Sequence, residues 1–166
     1  MAHLTDSESL KLWGSVTVRT AALFMILSFP GCFVQAVKHD PVRAVLDTNE
    51  FLRALYFDEN PSRALKLCDE QLRASTVTDD LTKMINQIKG DRGSLRRLAA
   101  DSYLMVQGPE MELFYVGTYE NGVLYHRIVV VGDTSTGYRV SGVWFQKEAY
   151  PWNQLRRPFE MEIPVQ

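Results

Sequence analysis

With 166 residues, 46% of them hydrophobic and 23% charged, the chain is long and apolar enough for one globular domain with a real core, and too apolar to be disordered. A net charge of −2 and an isoelectric point near 5.9 argue against a nucleic-acid partner, which would need a clustered excess of Lys and Arg. Of the two cysteines, Cys32 falls in a segment expected to be removed or lipidated, so the mature chain is expected to hold no disulfide.

Residues 1–36 differ from the rest and read as a signal peptide or leader. Ala21 to Phe29 is an uncharged apolar run preceded by Arg19 and followed by Pro30-Gly31, the outline of a secretory signal. It is short for a membrane span, which needs about 20 predominantly apolar residues. Val34-Gln35-Ala36 places small residues at −3 and −1 of a cleavage site, so the exported chain, periplasmic or secreted, would start at Val37. Phe29-Pro30-Gly31-Cys32 also resembles a lipobox, in which Cys32 would carry lipid. Membrane contact is expected only through a lipidated Cys32 or an uncleaved leader. Asp6 and Glu8 are unusual in the charged part of such a leader and suggest a start near Val16 or Val18.

The folded part, residues 37–150, opens with a helix. Asp40 is a good N-cap and Pro41 suits the first helical position, where its missing N–H is no loss. Val42, Val45, Leu46, Asn49, Leu52, Leu55 and Tyr56 follow at spacings of three and four. Asn60 and Pro61 repeat the cap chemistry for a second helix through about Ala74, in which Cys68 is a packed thiol. Thr78-Asp79-Asp80 caps a third, with the stripe Leu81, Met84, Ile85, Ile88 and with Gly90 as its stop. The period then changes to two. Gly93 to Gln107 reads as a strand with Leu98, Ala100, Ser102 and Leu104 on one face and Ala99, Asp101 and Tyr103 on the other.

Three further apolar runs complete an antiparallel meander. MELFYVGTY and VLYHRIVVV are joined at Glu120-Asn121-Gly122, where Asn-Gly suggests a type I′ turn with both central residues at positive φ. A longer loop, Gly132 to Gly137, leads to YRVSGVWF. Residues 151–166 hold three of the seven prolines and read as an extended C-terminal tail, with Arg156-Arg157 as a solvated pair. The fold class is therefore α+β: three N-terminal helices on a bent antiparallel meander sheet of about four strands.

The order of elements and the phrase Tyr138-Arg139-Val140-Ser141-Gly142-Val143-Trp144-Phe145 resemble the nuclear transport factor two-like superfamily, the cystatin-like α+β cone, and within it small exported bacterial members of unknown function. The likeness covers about Asp40 to Tyr150. It implies a bent sheet wrapped on a long helix with a pocket between them. It carries over no residue roles, because no motif of that superfamily's enzymes is matched here.

The residues themselves offer little chemistry. GxSxG, HExxH, P-loop, GxGxxG and CxxC patterns are all missing, so no metal and no cofactor is expected. His126 is the one histidine inside the predicted core and a candidate general base, although its neighbour Arg127 favours a surface position. Asp101 is a candidate acid or base if buried on the concave face. Tyr115, Tyr125, Tyr138 and Trp144 are candidate ligand-binding residues. Gly142, a glycine within a strand, suggests that Tyr138 and Trp144 face the helices and line any pocket there.

Two functions follow. The first is an exported non-catalytic binding or interaction module of the cell envelope, with a small apolar ligand or an envelope protein as partner and a homodimer left open. The alternative is a small isomerase- or dehydratase-like enzyme using Asp101 or His126. An inward-facing Asp101 or His126 within reach of a tyrosine hydroxyl would favour the enzyme; an apolar lining would favour the module.

Overall fold

A computed structural model describes residues 37–106 and 108–166; the leader, its cleavage site and Cys32 lie outside the described residues. The described residues are α+β, with four helices preceding a five-stranded antiparallel sheet. Among the described residues no helix is long and apolar enough to cross a membrane.

Helix α1, Pro41–Tyr56, begins as its capping chemistry dictates: the Asp40 carboxylate accepts from the N–H groups of Val42 and Arg43. Its stripe buries Val45, Phe51, Leu52 and Leu55 completely. Two polar contacts fix the helix on the sheet. Asp47 accepts from the backbone N–H of Tyr138 at 2.9 Å, and Asn49 accepts from the hydroxyl of Tyr115 at 3.0 Å.

The expected second helix is two helices, α2, Pro61–Lys66, and α3, Glu70–Ser75. The break lies where the chain pairs with a strand edge. Asp69 N–H donates to Val140 C=O at 2.8 Å and Val140 N–H to Leu67 C=O at 3.2 Å, so Leu67 to Asp69 cover backbone groups that an edge strand would leave open. Asp69 then caps α3 by accepting from Leu72 N–H. Helix α4, Thr78–Arg92, buries Leu81, Ile85 and Ile88 as its stripe requires. It runs past Gly90, and Gly93, at φ 72°, is the stop instead.

The strands are β1, Leu95–Met105; β2, Glu110–Tyr119; β3, Gly122–Asp133; β4, Gly137–Gln146; and β5, Arg156–Pro164. Their order across the sheet is β4-β3-β2-β1-β5. The segment read as a tail supplies β5, on the outer edge of β1, and after it Val165 is buried and donates its N–H to Leu98 C=O. Broken alternation and two prolines hide this strand in the sequence, and both features are tolerated on an edge.

The β2–β3 hairpin pairs Tyr119 with Gly122, so Glu120 and Asn121 are the turn residues. Glu59 is the one non-glycine residue at positive φ among those described, so Asn121 is not in the left-handed region and the turn is not type I′. Gly122 takes the unusual conformation alone, at φ 117°. Gly122→Val is expected to cost about 1 to 3 kcal/mol through backbone strain, read as a fall in denaturation midpoint.

Two bulges decide which side chains face the helices. Along β4 the pairing shifts between Val140 and Gly142, leaving Ser141 as an extra residue. Along β1 it shifts between Ala100 and Ser102, leaving Asp101 extra. Each extra residue reverses the alternation that follows it. Tyr138 and Val140 thus face the core, and beyond the bulge Val143 and Phe145 do so instead of Trp144.

Candidate functional site

The sheet presents Leu113, Tyr115, Ile128 and Val130 to the helices, and in the same set lies His126, paired across the sheet with Tyr115 and Phe145. The surface position favoured by its neighbour Arg127 is therefore wrong: His126 is fully buried, and it is Arg127 that faces away. Tyr56, the last residue of α1, places its hydroxyl 3.3 Å from His126 Nδ1, and Tyr119, the last residue of β2, places its hydroxyl 3.4 Å from Nε2. The Tyr56 ring meets the imidazole edge-on at 5.6 Å and the Tyr119 ring stacks at 6.4 Å. Gly117 gives this cluster its room, since a Cβ there would lie 2.9 Å from the Tyr119 ring and 3.0 Å from His126 Nε2.

Burial sets the protonation of all three groups. It lowers the pKa of His126 to about 4, so the imidazole is neutral at pH 7. It raises Tyr119 to about 12 and pushes Tyr56 well above the ordinary phenol range, so both keep their protons. A neutral imidazole donates through one nitrogen and accepts through the other. Between two phenols it accepts one proton and donates its own, and the remaining hydroxyl proton is left for the other phenol or for a ligand.

Beside this triad is a cavity of about 300 Å³. Tyr56 and Tyr119 form its inner wall, Ile85, Ile88 and Leu95 its apolar sides, and Lys89 and Glu59 its rim. The rim pair is closed at 2.6 Å, Lys89 Nζ donating to Glu59 Oε1. Glu59 holds φ 47°, a conformation that costs a residue with a side chain energy and that the loop between α1 and α2 imposes.

No protein-family model, curated protein or solved structure matches this chain.

The four aromatic candidates are not brought together. Tyr115 and Tyr138 lie in the core, with hydroxyls tied to Asn49 and to the backbone N–H of Asp40 respectively, and burial raises both pKa values. Tyr125 and Trp144 are on the other face, and Trp144 is 46% exposed. The expectation that Trp144 faces the helices fails because of the bulge at Ser141, and Gly142 is small for a different reason than a ligand or a bend: a Cβ there would collide with the Trp144 ring folded over it.

Asp101 does not enter the helix-side cavity either. The β1 bulge brings it beside Ser102 rather than opposite it, and the Ser102 hydroxyl donates to Asp101 Oδ1 at 3.0 Å. Its other oxygen lies 3.4 Å from the guanidinium of Arg156. That arginine, expected to be solvated, is 8% exposed: it donates to the Ser102 hydroxyl at 2.7 Å and to Tyr150 C=O at 3.0 Å, and stacks on Phe114 at 3.8 Å. Cys68 is a buried thiol, raised to about 11 by that burial, and its Sγ–H donates to Ala64 C=O. Among the described residues no three metal-ligating side chains converge.

Sequence reasoning missed Tyr56 and Tyr119 as partners of His126. The usable signal was Arg127. In a strand apolar on both faces, the face with the arginine is the solvent side, which places His126 with Leu124, Ile128 and Val130 inside.

Proposed function

We propose that the chain is an exported, non-catalytic binding module of the cell envelope that takes a small apolar ligand in the cavity between α1, α4 and the β1–β2 end of the sheet. One observation carries this reading: the cavity sets Phe57, Ile85, Ile88 and Leu95 beside an inner wall of two tyrosines whose hydroxyls meet a neutral, buried histidine, with Glu59, Lys89 and Ser94 as its polar part. Such a wall offers a ligand area to cover and one hydroxyl proton to orient it. The Arg19 to Phe29 leader pattern supports export. Helices preceding a bulged antiparallel sheet, with a cavity between the two, support kinship with the nuclear transport factor two-like cone.

The triad also favours a second reading, because a histidine within reach of two tyrosine hydroxyls is the arrangement an isomerase- or dehydratase-like site would use. Against it stands the pKa of about 4, which makes His126 a weak base at neutral pH. His126 is also not among the residues that line the cavity.

The two readings are separated by titrating the chain with short and medium-chain alcohols and ketones. Saturable stabilisation by one of these ligands, lost in Leu95→Trp, which fills the cavity, is expected for a module. A ketone that exchanges its α-hydrogens with solvent deuterium only in the presence of the protein, and not with His126→Gln, would establish the enzyme instead. If no member of the series stabilises the fold, the cavity is not a site for ligands of this class.

A further inference from the structure

On the sheet face turned away from α1 and α4 two arginines lie over aromatic rings, and the fold treats them differently. Arg156 lies over Phe114 and Trp152, and each part of its guanidinium has a protein acceptor: Ser102, Tyr150 C=O and Asp101. Arg127 lies 4.5 Å from the Trp144 ring and 6.0 Å from that of Tyr150, yet its side chain makes no hydrogen bond among the described residues. Its nearest carboxylate, on Glu112, is 3.7 Å away, beyond hydrogen-bond reach, and its Nε is shut off from solvent with no partner. Closed to solvent, Nε cannot meet a ligand, but the two Nη groups of a guanidinium packed against rings can still take a carboxylate through two parallel bonds.

A groove of about 460 Å³ adjoins Arg127. The register of the sheet sets Arg127 beside Trp144 at one end, with Val129 and Val131 as the floor and Glu112 and Glu110 along one side. Leu72 of α3 borders it, and Asp69 there is already engaged in capping that helix. A simple anion on Arg127 would also face the two glutamates and be repelled by them. A ligand carrying an ammonium next to its carboxylate meets both signs of charge at once, and its apolar remainder falls on the valines and the indole.

We propose that this groove binds a free α-amino acid with an apolar side chain, its carboxylate on Arg127, its ammonium on Glu112 and Glu110, and its side chain against Val129, Val131 and Trp144. The site lies on the opposite face of the sheet from the helix-side cavity and stands whether or not that cavity takes a ligand.

The test uses the full chain with Trp13→Phe and Trp152→Phe, which leaves Trp144 as the single tryptophan. L-Leucine, L-valine, L-methionine and L-phenylalanine are titrated while Trp144 emission is followed, with N-acetyl-L-leucine and L-leucinamide as analogues lacking one charge each. The expected result is a saturable change with at least one of the four amino acids, reaching half its value below about 1 mM, with L-leucine at least about tenfold tighter than both of its blocked analogues. Arg127→Met should abolish the response and Glu112→Gln should weaken it by about tenfold. Circular dichroism checks that both variants are folded, and if Arg127→Met is not, the analogues and Glu112→Gln decide alone. No saturable response to any of the four, or N-acetyl-L-leucine or L-leucinamide binding as tightly as L-leucine, overturns the proposal.

Discussion

Acidification from pH 7 to pH 4 is expected to remove roughly 3 kcal/mol of stability through His126 alone, and a variant with Gln at this position is expected to lack that part of the pH dependence. The sign follows from where the proton binds. In the unfolded chain the imidazole titrates near 6.5; in the fold, burial among Tyr56, Tyr119 and Phe145 holds it to about 4. Between these values the unfolded state binds a proton that the folded state refuses, so stability is complete above pH 6.5, falls as the pH drops through the window, and levels off below about 4. Carboxylates that titrate in the same range appear equally in the native chain and in His126→Gln. The difference between their two stability profiles, from chemical denaturation at half-unit steps, isolates the histidine. Parallel profiles would mean that His126 is accessible to solvent and that the cluster is not the closed wall described above.

The same histidine illustrates what the sequence could and could not convey. Helix α1 was legible from its cap and α4 from its stripe, both local signals: Asp40 and Pro41 start the first, and Leu81, Ile85 and Ile88 mark the buried side of the second, whose N-cap is Val77 rather than Thr78. The hairpins were legible from Gly122 and from the Gly132–Gly137 loop. What escaped depends on partners distant in the chain. The interruption at Leu67 to Asp69 exists to pair with Val140, which lies some seventy residues later. The bulges at Asp101 and Ser141 have no signature in an alternating pattern, yet each reverses the residues beyond it, so period-two counting from Tyr138 gives the wrong side for Trp144. The lining of the cavity has no local signature either. Its two tyrosines end elements that are far apart in sequence, and only the closing of the sheet end against α1 brings them to His126.

The C-terminal segment offers the sharpest contrast between a tail and a strand. Arg156→Ala is expected to cost about 2 to 4 kcal/mol, whereas Arg157→Ala, one residue along and exposed, should change stability by less than about 0.5 kcal/mol. The difference comes from what the first guanidinium does. It satisfies the Ser102 hydroxyl, which is itself fully buried, and the carbonyl of Tyr150, covers the ring of Phe114, and neutralises Asp101 at the β1 bulge. Truncation to alanine leaves a cavity over Phe114 and an acidic group without its partner, and both effects add to the lost hydrogen bonds. Arg156→Lys should recover only part of the loss, because an ammonium cannot reach three acceptors in one plane while lying flat on a ring. Denaturation midpoints of the three variants measure this directly. If Arg156→Ala and Arg157→Ala are equally mild, residues 156–164 are a surface tail after all and β1, not β5, is the edge of the sheet.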